Sequence, residues 1–125
     1  MDEGTSELQT TLERHEPGIL RLHFGGKSAS REAGRVLAPT FDAALSQATS
    51  EHRDLELRFE RLEYFNSSTI SALVQFIRSA QRAGVRVAVV YDAKQRWQAM
   101  SFEALQRAMR PFQTGGEPSV TFTEA

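Results

Sequence analysis

Within the stretch Leu55–Gly84 the hydrophobic pattern changes period, and that change limits what the chain can fold into. Leu55, Leu57, Phe59 and Leu62 are interleaved with Glu56, Arg58, Glu60 and Arg61, the alternation a half-buried β-strand requires. Ile70, Leu73, Val74, Ile77 and Ala80 then recur at the spacing of one apolar helix face, with a stop at Ala83-Gly84. Val85–Tyr91 reads as a second strand, so the stretch is a βαβ unit with parallel strands and a helical crossover. The switch falls on Asn66-Ser67-Ser68-Thr69, which places Ser67 where a strand hands over to a helix N-terminus.

Elements of the same kind flank this unit. Leu8, Thr10 and Leu12 alternate with polar residues, Glu16-Pro17-Gly18 follows, and Ile19–Phe24 alternates again. Pro-Gly suits a type II turn, so the two runs are expected to pair as an antiparallel hairpin, with Leu20, Leu22 and Phe24 inward and Arg21 and His23 in water. Gly25–Gly34 reads as a loop, and Pro39 as the first position of a short helix that carries Phe41, Ala44, Leu45 and Ala48 and ends near Thr49–His52. Beyond Tyr91, Gln95–Met100 reads as a helical turn, and Ser101 as the N-cap of a helix over Phe102–Met109. Arg110-Pro111 stops that helix, and Val120 and Phe122 form a last strand. The expected order is β-β-α-β-α-β-α-β in one domain, residues 1–125. The fold class is α/β, a mixed sheet of four to five strands with one wet face and with helices packed on the other.

Composition excludes several function classes. The chain has no cysteine, which removes disulfides, thiolate metal sites and a redox thiol. Its acidic start has no apolar core segment, so a secretory signal is not expected, and no apolar run reaches bilayer length. A cytoplasmic protein is the expectation. Charge is uneven: residues 1–66 carry 8 Lys/Arg against 12 Asp/Glu, whereas residues 67–112 carry 7 against 2. The basic excess lacks the interleaved aromatics of a single-strand-binding groove, so it reads as a solvated face and not as a nucleic-acid surface.

Local motifs for catalysis or metal binding fail on spacing. Gly25-Gly26-Lys27-Ser28 resembles the end of a phosphate-binding loop, but Arg21 stands where the first glycine is needed. His15, His23 and His52 lack ligand spacing and are expected at the surface. No G-x-S-x-G elbow exists, and nothing sets Glu63 and Asp92 apart as an acid/base pair. No catalytic residue, metal or cofactor is assigned. Trp97 reads as cover for the end of the core, with a partner contact as the alternative.

The hydroxyl cluster is different. A helix cap accounts for Asn66 and one serine, yet one cap does not need three consecutive hydroxyls. Phosphate on Ser67 would add about −1.5 to −2 charge at a helix end whose N–H dipoles partly compensate it, altering what docks there without unfolding the domain.

The strand, the cluster and the following helix resemble the STAS domain of sulfate transporters and anti-sigma-factor antagonists. Its motif, Asp-Ser-Ser/Thr-Gly-Leu, is matched here by Asn66-Ser67-Ser68-Thr69-Ile70, and the order of elements agrees over about residues 7–110. Glu63-Tyr64-Phe65-Asn66-Ser67-Ser68 also resembles the motif of SiaC-like regulatory phosphoproteins, which control a diguanylate cyclase. The resemblance implies a non-enzymatic switch in which Ser67 is phosphorylated by a dedicated kinase and restored by a PP2C-type phosphatase. Only one form would bind the target, an anti-sigma-factor-like serine kinase or another regulatory effector, through Asn66, Ser67, Ser68 and Thr69. Asn66 replaces the usual Asp and Thr69 the usual Gly. Those departures motivate the alternative of a constitutive scaffold without phosphorylation.

Overall fold

The strand with the interleaved pattern lies at the centre of a five-stranded sheet. In the computed structural model, which describes residues 8–15, 18–28, 31–112 and 120–125, the strands are β1 (Gln9–His15), β2 (Ile19–Ser28), β3 (Asp54–Phe65), β4 (Val87–Tyr91) and β5 (Val120–Glu124). The helices are α1 (Ala33–Glu51), α2 (Ser67–Arg82) and α3 (Arg96–Met109), the last followed by a 3-10 turn, Arg110–Phe112. Sheet order is β1-β2-β3-β4-β5, with β1 antiparallel to β2 and every other pair parallel. The expected element order and mixed topology are both found. Glu16 and Pro17 of the expected turn lie outside the described residues, but Gly18 takes the left-handed φ of +66° such a turn needs.

One sheet face carries the core. Leu20, Leu22 and Phe24 of β2, Leu55, Leu57 and Phe59 of β3, and Val87 and Val89 of β4 are buried against Leu37, Phe41, Leu73, Ile77, Phe102 and Leu105 of the helices. Aromatic rings link these layers in one chain: Phe76–Phe41, Phe41–Phe24, Phe24–Phe59, Phe59–Phe102, Phe102–Phe65 and Phe65–Trp97, with centroids 4.2 to 6.2 Å apart. Offset and edge contacts of this kind add to area burial. The opposite face holds the expected charges. Arg58 bridges Glu56 and Glu60, Arg21 meets Glu56, and His23 meets Glu13. The Arg58 guanidinium holds the Glu60 carboxyl below its ordinary range.

Three local expectations are corrected. The segment read as a loop from Gly25 continues β2 as far as Ser28. α1 starts at Ala33, so Pro39 lies inside it, because buried Leu37 packs the first turns onto the core and Pro39 faces solvent. Ser101 lies inside a continuous α3, because Gln98 and Gln95 anchor that helix's first turn to β3.

That anchoring follows from the shape of β3. It pairs with β4 only as far as Arg58, and its register with β2 shifts twice. The shifts reset the alternation so that Leu62 and Phe65, each three residues on, still face the core. Carbonyls freed from pairing are met by α3: Gln98 Nε2 donates to Phe59 O at 2.7 Å and to Leu62 O at 3.0 Å, and Gln95 Nε2 donates to Glu60 O at 3.3 Å.

Candidate functional site

The hydroxyl cluster sits where β3 ends and α2 begins, at the edge of the sheet where α1 and α3 also start. Asn66 is the N-cap of α2, with extended backbone, and its Oδ1 accepts from Thr69 N at 3.0 Å. This satisfies one of the N–H groups that a helix start leaves without a partner. No acidic residue lies in the first turn of α2, so the positive end of the helix dipole has no side-chain countercharge there.

The three hydroxyls have different fates. Thr69 is buried, and its Oγ1 lies 2.9 Å from Asn66 Oδ1 and 2.7 Å from Ser28 Oγ. Ser68 is half-buried and donates to Arg31 O at 3.3 Å. Ser67 is exposed, and among the described residues its hydroxyl has no hydrogen-bond partner. Of the four residues singled out from sequence, Ser67 therefore presents an open hydroxyl, Asn66 and Ser68 lie at its sides, and Thr69 points into the body of the domain.

The surroundings offer a contact surface. Between α1 and α2 runs a groove of about 340 Å³, based on Phe41 and Phe76, with Ser68 and Ser71 along its α2 side. Tyr64, three residues before Ser67, is 47% exposed. Trp97 is half-buried, edge-on to Phe65, with its indole N–H on Gln95 Oε1, so it covers the end of the core as expected. Among the described residues no group of three His, Asp or Glu side chains is placed to hold a metal ion, and no helix is long and apolar enough to cross a membrane.

Sequence reasoning missed Ser28 and Gln98. Ser28 continues the inward parity of Leu20, Leu22 and Phe24, a signal hidden once Gly25-Gly26 is read as a loop. Nothing local marks Gln98, whose partners lie in another element.

The model of the STAS domain family matches residues 35–114, which include Asn66–Thr69. The chain belongs to the STAS domain family. Among curated protein sequences none matches this STAS domain. Solved structures share its fold. SiaC of Pseudomonas aeruginosa matches with a TM-score of 0.62 at 20% identity, over 99% of this chain and 96% of that one. The crystal structure of the diguanylate cyclase SiaD in complex with its activator SiaC, from the same organism, matches with a TM-score of 0.63 at 19% identity, covering 98% and 96%. The Bacillus cell fate determinant SpoIIAA in its phosphorylated form matches with a TM-score of 0.60 at 14% identity, covering 94% and 91%. The five-stranded mixed sheet with helices on one face is thus the fold of the anti-sigma factor antagonist SpoIIAA and of SiaC.

Proposed function

We propose that this STAS domain is a non-enzymatic, cytoplasmic signalling switch whose hold on a partner protein is set by reversible phosphorylation of Ser67. The observation that carries this reading is the sorting of the hydroxyls: Ser68 and Thr69 are tied to the fold, and Ser67 alone of the three is open to a kinase. Phosphate on Ser67 would stand at an uncompensated helix N-terminus, so the fold tolerates the charge while the docking surface changes sign. The partner is an anti-sigma-factor-like serine kinase or another regulatory effector, and a PP2C-type phosphatase resets the site. Asn66, Ser67 and Ser68 form the contact, with Thr69 supporting them from inside.

A second reading names the effector. Tyr64-Phe65-Asn66-Ser67-Ser68 resembles the SiaC-like motif, and the fold match spans 96% of SiaC, which favours a regulator of a diguanylate cyclase. Affinity capture from the protein's own cells tests both readings. Ser67→Ala is expected to retain a partner that Ser67→Glu loses, and that partner identifies the effector. Equal retention, with a single intact mass for the native protein in every growth condition, refutes the switch in favour of a constitutive scaffold.

A further inference from the structure

Beneath the site lie two buried hydroxyls, Ser28 and Thr69. Their protons can be assigned by elimination. Asn66 accepts the backbone N–H of Thr69 at 3.0 Å, so the side-chain atom facing Thr69 is the amide oxygen and not the nitrogen. An amide oxygen has no proton to give, so the 2.9 Å contact with Thr69 Oγ1 requires the Thr69 hydroxyl to donate. The other acceptor within its reach, Ser28 O, is farther away at 3.4 Å, so the shorter contact to Asn66 takes the one proton Thr69 has. The 2.7 Å contact between the two hydroxyls then requires Ser28 to donate to Thr69. Asn66 N–H donates back to Ser28 C=O at 3.1 Å and closes the ring.

The ring joins the last residue of β2, the N-cap and the first turn of α2, and every donor in it points one way. Both hydroxyl residues are nearly sealed from solvent, at 4% exposure each, so water cannot readily replace either partner. Ser67 lies between two members of the ring, Asn66 and Thr69, and is exposed. An alanine or glycine at position 69 could not complete the ring, nor could valine, although valine matches threonine in shape.

We infer that Ser28 and Thr69 are positioning residues for Ser67: their directed hydroxyl pair locks the Asn66 cap and thereby holds the Ser67 hydroxyl in the pose a modifying enzyme meets. The effect on modification rests on the Ser67 reading above; the effect on the cap does not.

The test uses the full chain with Thr69→Val, Thr69→Ser and Ser28→Ala, and two readouts. The first is amide hydrogen exchange at residues 67–70, referred to amides in the middle of α2. Loss of the Thr69 hydroxyl is expected to speed cap exchange about tenfold or more, and Thr69→Ser to restore it to within about threefold of wild type. Ser28→Ala, which removes a single buried oxygen, is expected to speed it in the same sense and decides the matter if Thr69→Val does not fold. Wild-type exchange in both hydroxyl-deleting variants overturns the inference, and so does a Thr69→Ser variant as fast as Thr69→Val, because the threonine would then act through packing. The second readout is phosphate uptake at Ser67 in extract of the native cells, read by peptide mass. Slower uptake in Thr69→Val, rescued in Thr69→Ser, is the expected result; uptake at the wild-type rate despite a loosened cap overturns the positioning role. No uptake by the wild type in any extract removes the Ser67 reading, while the exchange data still decide whether the ring locks the cap.

Discussion

Gln98 replaces a missing strand partner, and its removal should be costly. It is 0% exposed, accepts from Asp92 N at 2.7 Å, and donates to the carbonyls of Phe59 and Leu62 at 2.7 and 3.0 Å. Gln98→Leu keeps the volume and deletes all three bonds, leaving one N–H and two C=O groups without that partner. At about 1–2 kcal/mol for each of these three groups, the lower part of the range for unpaired polar groups because Asp92 is only half-buried, the loss is about 3–6 kcal/mol. The added apolar side chain returns about 1–2 kcal/mol, so the net destabilisation is about 1–5 kcal/mol. An unfolding entropy of about 2.1 cal/mol/K per residue converts that to a melting temperature lower by about 4–19 °C for a chain of this length. Urea unfolding followed by Trp97 fluorescence measures it, since that single tryptophan packs on Phe65 beside the same helix start. Gln98→Glu sharpens the test. At neutral pH its carboxylate faces two carbonyls with nothing to donate; when protonated it can donate to one of them. The introduced acid therefore has a raised folded pKa, and the defect relative to wild type should shrink as pH falls. A Gln98→Leu variant within about 0.5 kcal/mol of wild type refutes the claim that this side chain substitutes for strand pairing.

Other consequences are open to direct measurement. Glu51 is held at about 2 by its hydrogen bonds to Arg14 and then Arg53, below the ordinary 4.5, so its contribution to stability is complete above pH 4.5 and is lost as pH falls toward 2. Glu51→Gln should flatten that part of the acid limb in a pH series of urea midpoints, and an unchanged limb refutes the assignment. Asn66→Asp should preserve the cap, yet set a carboxylate beside any charge at position 67. Combined with Ser67→Glu it should show an unfavourable coupling of about 0.5–1 kcal/mol that fades in 1 M salt, and additivity at low salt argues against it. His52 closes α1 at a left-handed φ of 56°, a conformation that favours glycine. His52→Gly should raise stability by up to about 1 kcal/mol, and no rise in the urea midpoint counts against strain there.

Much of this domain was legible in its residues, because the signals involved are local. The change of period at Asn66, the cap, the left-handed Gly84 after α2 and the inward Leu20, Leu22 and Phe24 each depend on residues a few positions apart. They were enough to order the eight elements and to place Ser67 at a helix mouth. What the tertiary structure alone decided involves partners 36 to 41 positions away in the chain. Gln98 finds the carbonyls of β3 only because that strand outruns β4, and Ser28 meets Thr69 only because β2 and β3 lie parallel to the same edge. Pro39 belongs inside α1 for a similar reason: burying Leu37 outweighs a break in hydrogen bonding on a face already served by water. Short-range periodicity thus determined which segments become strands and helices. Long-range packing and polar satisfaction determined where they end and which of three adjacent hydroxyls stays open.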